Sequence, residues 1–119
     1  MDFERYNFTL DCDHPEWLTD KRHIEVIYEF IMANDFNRVA EIGSYSGAST
    51  AAFIEALNQG KDFNLHIAEI NPTRQLRALI STCKKPDNII LHVQSGEEVL
   101  EHWKGFDFVF IDGDHDVKG

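Results

Sequence analysis

Glu41, Gly43, Gly47, Glu69, Asp112 and His115 are the residues best placed to do chemistry, because each stands where an apolar run breaks. The segment Arg38-Val-Ala-Glu-Ile-Gly-Ser-Tyr-Ser-Gly-Ala-Ser-Thr50 reads as a strand, a tight turn and a helix start. A turn built on glycine lets backbone approach a ligand closely, and the N–H groups of the next helix offer donors to an anionic group. Two further acids stand at later strand ends: Glu69 in Leu65-His-Ile-Ala-Glu-Ile-Asn-Pro72, and Asp112 in Phe108-Val-Phe-Ile-Asp-Gly-Asp-His115. Three strand ends with polar residues describe a nucleotide pocket.

The elements that must position these residues follow from periodicity. Residues 1–18 are acidic and aromatic without clear period, and read as an arm whose Phe3, Tyr6, Phe8 and Trp17 pack on the body. From Thr19, an expected N-cap, Ile24, Ile27, Tyr28, Ile31 and Met32 recur at helical steps up to about Asn34. Strands are expected over Val39–Ile42, Asn64–Ile70, Ile89–Val93 and Phe106–Ile111. Helices are expected over Ala48–Asn58, Pro72–Cys83 and Glu97–Trp103, with Lys84-Lys-Pro-Asp-Asn88 as a loop. The βαβαβαβ alternation implies a Rossmann-like, doubly wound parallel sheet of order 3-2-1-4, covered by helices in three α/β/α layers over residues 19–119.

The fourth expected strand is apolar on both faces, as suits the interior of a sheet, yet only a few residues follow it. The expectation is a domain truncated after its fourth strand. The competing expectation is that a second copy pairs through that strand, since an exposed apolar edge invites pairing.

Composition excludes several classes. The 119 residues suit a single domain able to bury roughly two thirds of its unfolded surface, which leaves no room for a separate substrate domain. A formal charge of −10, with eleven basic residues scattered apart from Lys21-Arg22 and Lys84-Lys85, argues against nucleic acid as a partner. No apolar run approaches the roughly 20 residues of a membrane span, and the N-terminus lacks a secretory pattern, so a cytoplasmic protein is expected. Cys12 and Cys83 lack metal-type spacing and read as reduced thiols. The histidines at 14, 23, 66, 92 and 102 are spread over different elements and read as structural or exposed.

The run Glu41-Ile-Gly-Ser-Tyr-Ser-Gly-Ala-Ser49 resembles motif I of class I S-adenosylmethionine-dependent methyltransferases, nearest to the catechol and caffeoyl-CoA O-methyltransferases. Ala68-Glu-Ile-Asn-Pro72 is similar to the second acidic motif of the catechol enzymes, and Ile111-Asp-Gly-Asp-His115 to the fourth-strand signature of a related bacterial family. The resemblance covers roughly residues 20–119. It implies that Gly43 and Gly47 lie beneath the methionine portion of the cofactor, flanked by Ser44, Tyr45 and Ser49, and that Glu41 orients the turn or meets the amino group. It implies that Glu69 accepts from both ribose hydroxyls, which suits a carboxylate with two acceptor oxygens, and that Ile70 borders the nucleoside. Ser95, Gly96 and Glu97 fall where the fold contacts adenine, although a simple helix N-cap at Ser95 explains the same letters.

The resemblance also puts Asp112 beside the transferred methyl, where the catechol enzymes hold a magnesium-like ion. Magnesium needs several oxygen ligands, so one carboxylate does not make a site; Asp114 and Asp116 are nearby candidates, and many relatives use no metal. His115 stands about where the catechol enzymes place a catalytic lysine, and imidazole suits a general base that deprotonates a substrate hydroxyl, alone or with Asp112. Val117 departs from the bacterial signature, which has an aromatic there. The function implied is methylation of a small hydroxylated molecule. Two other readings stay open. A nicotinamide-dependent oxidoreductase is weakened by acid-x-G-x-x-x-G spacing in place of G-x-G-x-x-G. A non-catalytic assembly module could dock through the fourth strand.

Overall fold

The computed structural model describes residues 20–43 and 48–111. The arm expected at 1–18 and the cap expected at Thr19 lie outside them. The elements run α1 (Asp20–Ala33), β1 (Arg38–Ile42), α2 (Ala48–Asn58), β2 (Asn64–Ala68), α3 (Arg74–Ile80), a 3₁₀ turn (Pro86–Asn88), β3 (Ile89–His92), α4 (Gly96–His102) and β4 (Phe108–Ile111). All strand pairs are parallel, in the expected order β3-β2-β1-β4.

Alternation along the strands divides the side chains between two faces. Val39, Leu65, Ile67, Ile89, Leu91, Phe108 and Phe110 join a core with Ile24, Ile27 and Ile31 of α1 and Leu76 and Leu79 of α3. Within α2, Ala51, Ala52, Phe53, Ile54, Ala56 and Leu57 are all fully buried and even Glu55 is shielded, so this helix is buried all round and belongs to the interior. It ends in a Schellman motif, with Lys61 N–H donating to Ala56 C=O at 3.1 Å and Gly60 N–H to Leu57 C=O at 3.1 Å. Gly60 supplies the positive φ, 113°, that this ending requires.

The opposite face carries Ala40, Ile42, His66, Ala68, Ile90, His92, Val109 and Ile111, and α4 packs there: Trp103 lies against His66 and His92. Among the described residues, cover on this face stops short of β4, where Ile111 is 65% exposed. The interior character expected of β4 is therefore met on the Phe108 and Phe110 side.

Boundaries differ from expectation where side chains cap an element. Thr73 Oγ1 accepts from Leu76 N–H at 3.0 Å, so α3 starts at Arg74 and Pro72 precedes the cap. At its end, Ser81 and Thr82 N–H groups close the last turn on Arg77 and Leu79 carbonyls. The ribbon of β2 ends at Ala68 rather than Ile70, although Glu69 N–H still donates to His92 C=O at 3.0 Å. The strand expected from Phe106 begins at Phe108 because Asp107 turns to the start of β1, its carboxylate accepting from the N–H groups of Asn37 and Arg38. Those two donors hold the Asp107 carboxyl below the usual carboxylate range. Among the described residues no helix is long and apolar enough to cross a membrane. Cys83 is a buried free thiol; Cys12 lies outside the described residues.

Gly96 sets the distance of α4 from the sheet. A Cβ there would meet Ile42 Cγ2 well inside contact distance. Gly96→Ala is expected to lower stability by about 1–3 kcal/mol, and Ile42→Ala in the same chain to recover part of that loss; urea unfolding of the double-mutant cycle measures it, and purely additive losses would show that the two sites do not touch.

Candidate functional site

Strand register puts the polar strand ends in one row. Ile42 pairs with Ala68, Ala68 with His92, and Ile42 with Ile111. The next residues of the three strands on one side, Gly43, Glu69 and Val93, therefore share a level, with neighbouring strands about 4.8 Å apart. Gly43 N–H donates to Ala68 C=O at 2.9 Å, and its φ of 78° turns the chain out of the sheet in a conformation that disfavours any residue with a Cβ.

Glu41 is fully buried on the α2 side of the sheet. Its carboxylate accepts from Ser49 Oγ–H and from Thr50 Oγ1–H, the latter at 2.6 Å. Both donors stand in the first turn of α2, near the positive end of the helix dipole, which favours an anion there. This joins the end of β1 to the start of α2, the two elements on either side of the glycine turn. Ser49 thus spends its hydroxyl on Glu41. Thr50 was not singled out by the sequence; the sign of it is a second hydroxyl directly after Ser49 at the helix start.

Glu69 leaves the end of β2 partly exposed, and its Oε2 accepts from Asn71 N–H at 3.1 Å, which orients the carboxylate over the strand end. Ile70 beside it is 61% exposed and Val93, at the end of β3, is 56% exposed. Two exposed apolar side chains next to an acid suit a ligand with a flat apolar part and hydroxyl groups.

Ser95 closes a full capping box on α4: its Oγ accepts from Glu98 N–H at 3.1 Å while Glu98 Oε1 accepts from Ser95 N–H at 3.1 Å. Gly96 turns its missing side chain toward Ile42, and Glu97 is exposed in the first turn. The structure therefore brings Glu41, Gly43, Ser49, Glu69, Ile70, Ser95, Gly96 and Glu97 to the carboxyl end of one sheet, on both of its faces. Ser44, Tyr45, Gly47, Asp112 and His115 lie outside the described residues. The magnesium expectation rests on Asp112; among the described residues no group of three or more His, Cys, Asp or Glu side chains is placed to hold a metal ion.

The family profile for the methyltransferase domain matches residues 40–119. The chain belongs to that family. Its fold is that of two solved structures. One is the O-methyltransferase TomG from Streptomyces achromogenes, involved in tomaymycin synthesis and solved with SAM: 17% identity, TM-score 0.66, covering 95% of this chain and 63% of that one. The other is cofactor-bound Rv0187 from MTB: 22% identity, TM-score 0.65, covering 89% of this chain and 56% of that one. This methyltransferase domain thus spans between about half and two thirds of the length of those chains. No curated protein matches it.

In this methyltransferase domain the buried carboxylate ties the end of β1 to the first turn of α2. Glu41→Leu leaves two hydroxyls and the helix start without their acceptor, and is expected to cost about 2–4 kcal/mol of stability in urea unfolding; a loss below about 0.5 kcal/mol would show that the carboxylate is not the anchor.

Proposed function

We propose that this domain binds S-adenosylmethionine at the carboxyl end of its sheet and serves methyl transfer to a hydroxyl group of a small molecule. The observation that carries the reading is the row formed by Gly43, with its positive φ, and the oriented carboxylate of Glu69, bordered by exposed Ile70. Family membership over residues 40–119 supports methyl transfer, and one neighbour of the same fold is an O-methyltransferase solved with SAM.

When bound, the cofactor supplies a methyl group on positively charged sulfur, which leaves readily. Little covalent chemistry is then asked of the protein, which must position the reactants and exclude water. Glu69 accepts hydrogen bonds from the two ribose hydroxyls with its two oxygens. Gly43 lets the backbone approach the amino-acid part of the ligand without a Cβ in the way. Ile70 and Val93 offer apolar surface to the base. In this reading His115 takes the proton of the acceptor hydroxyl, aided by Asp112, and Asp112 is also the residue through which a magnesium ion would be held.

Calorimetric titration with S-adenosylhomocysteine, run in parallel with NAD and with and without magnesium, tests the cofactor. Tight binding of S-adenosylhomocysteine alone is expected, weakened about 10- to 100-fold in Glu69→Ala, the loss of hydrogen bonds to a charged acceptor. Unchanged affinity in Glu69→Ala, or binding of NAD in its place, overturns the assignment. For His115→Gln, turnover with a hydroxylated acceptor is expected to fall about 100-fold or more, and the acid limb of the pH–rate profile to disappear. An unaltered profile would remove His115 from the reaction.

A further inference from the structure

His66 and His92 form a buried pair on the α4 side of the sheet that the methyl-transfer reading does not use. Their side chains are 1% and 9% exposed, and His66 Nδ1 lies 3.0 Å from His92 Nε2. The rings are nearly parallel, 9° apart. Trp103, the residue that caps α4, packs on both, with ring centroids 4.7 Å from His66 and 5.5 Å from His92, and Phe106 meets His66 edge-on at 5.2 Å. One imidazole donates and the other accepts in the neutral pair. A second proton leaves two donors facing each other.

The surroundings are hostile to positive charge. Burial is the first cause that lowers the pKa of both rings; for His66, brought down to about 4, His92 and then Arg38 of β1 add to it. For His92 the added cause is His102 of α4. Glu98 and Glu101 of α4 line the same open cavity as His92 and His102, of about 560 Å³, which gives water access to the His92 ring. Trp103 and Phe106 bring no charge.

The hold on α4 is slight. Of its seven residues only Val99 is buried; Gly96 meets Ile42, Trp103 packs on the histidines, and just past the helix Lys104 C=O accepts from the Arg38 guanidinium of β1. A short helix with few buried contacts opens locally at modest cost. Its amino end is the Ser95-Gly96-Glu97 corner, and the two strands bearing the histidines run directly into Glu69 and Val93.

We propose that the His66–His92 pair is a proton-operated latch: with both rings neutral it seats α4 on the sheet, and protonation releases α4 together with the Ser95–Glu97 corner of the site. The link to the cofactor rests on the reading given under Proposed function; the latch itself does not. The sign follows from linkage. With α4 open His66 regains an ordinary pKa near 6.5 and binds more protons than in the closed state between about pH 4 and 6.5, and His92, also lowered by burial, shifts in the same direction. Closure is therefore fully favoured above that window and is lost as pH falls through it.

The test is amide hydrogen exchange of α4, corrected for the intrinsic pH dependence of exchange, together with Trp103 emission in a Trp17→Phe background. From about pH 7.5 to about pH 5 the opening constant is expected to rise about 10- to 30-fold, with Trp103 emission changing over the same range. His66→Leu with His92→Leu is expected to reduce the response to less than about twofold. Because that double variant removes two buried polar groups at once, His92→Gln, which keeps an N–H for His66 Nδ1, gives a second measure and should shrink the response without abolishing it. An α4 opening constant that ignores pH in the unaltered protein, or an unchanged response in both variants, overturns the latch. S-adenosylhomocysteine affinity should weaken over the same pH range; flat affinity with a responsive α4 overturns the coupling to the corner. Absence of S-adenosylhomocysteine binding at about pH 7.5 overturns the cofactor reading alone, and α4 exchange still decides the latch.

Discussion

A carboxylate with no access to water fixes this structure at its centre. Glu41 is worth burying only if its oxygens are met, and Ser49 and Thr50 meet them from the first turn of α2. The end of the middle strand and the start of the most buried helix are therefore held in one relation. Sliding either by a residue would leave the anion facing hydrocarbon. Gly43, at the end of β1, inherits its position from that constraint, and so does everything that depends on its lying level with Glu69.

Much of this was legible in the residues because the pattern there is dictated by burial. The run Ala48–Asn58 has no polar face to confuse its period, and α2 has the expected bounds. The parallel order follows from strands alternating with helices, since right-handed crossovers leave few other arrangements. What escaped reading depends on partners distant in sequence. Asp107 ends up bonding the start of β1, and nothing in Gly-Phe-Asp-Phe announces it. His66 and His92 could be read as hydrogen-bonded residues of strands, but their pairing follows from the register of β2 against β3, in which Ala68 stands opposite His92. Ser95 was ambiguous between a cap and a ligand contact; the box with Glu98 shows it capping α4.

The two faces of the sheet differ in kind. One is sealed by α1, α2 and α3 around Phe53 and its neighbours, a densely aliphatic and aromatic interior of the sort that resists opening. Among the described residues, the other is closed over β2 and β3 by one short helix whose capping indole rests on two imidazoles. The strand-end row of Gly43, Glu69 and Val93 lies along the seam between them. In the proposed reading, such an arrangement places a rigid wall behind the ligand and a yielding one beside it, the distribution of stability expected of a binding site.

The junction of β4 with β1 has a consequence for how the molecule comes into being. Asp107 closes onto Asn37 and Arg38 across some 70 residues of chain, and β4 can join the sheet only beside β1, already the third strand in line. Contacts of such separation are slow to form, because a long loop must be closed before they repay its entropy. During synthesis the three-stranded part, β3-β2-β1 with its helices, can assemble while the rest is still within the ribosome. The apolar edge of β1 then waits for its neighbour, and over that interval a nascent chain needs shielding from its own kind.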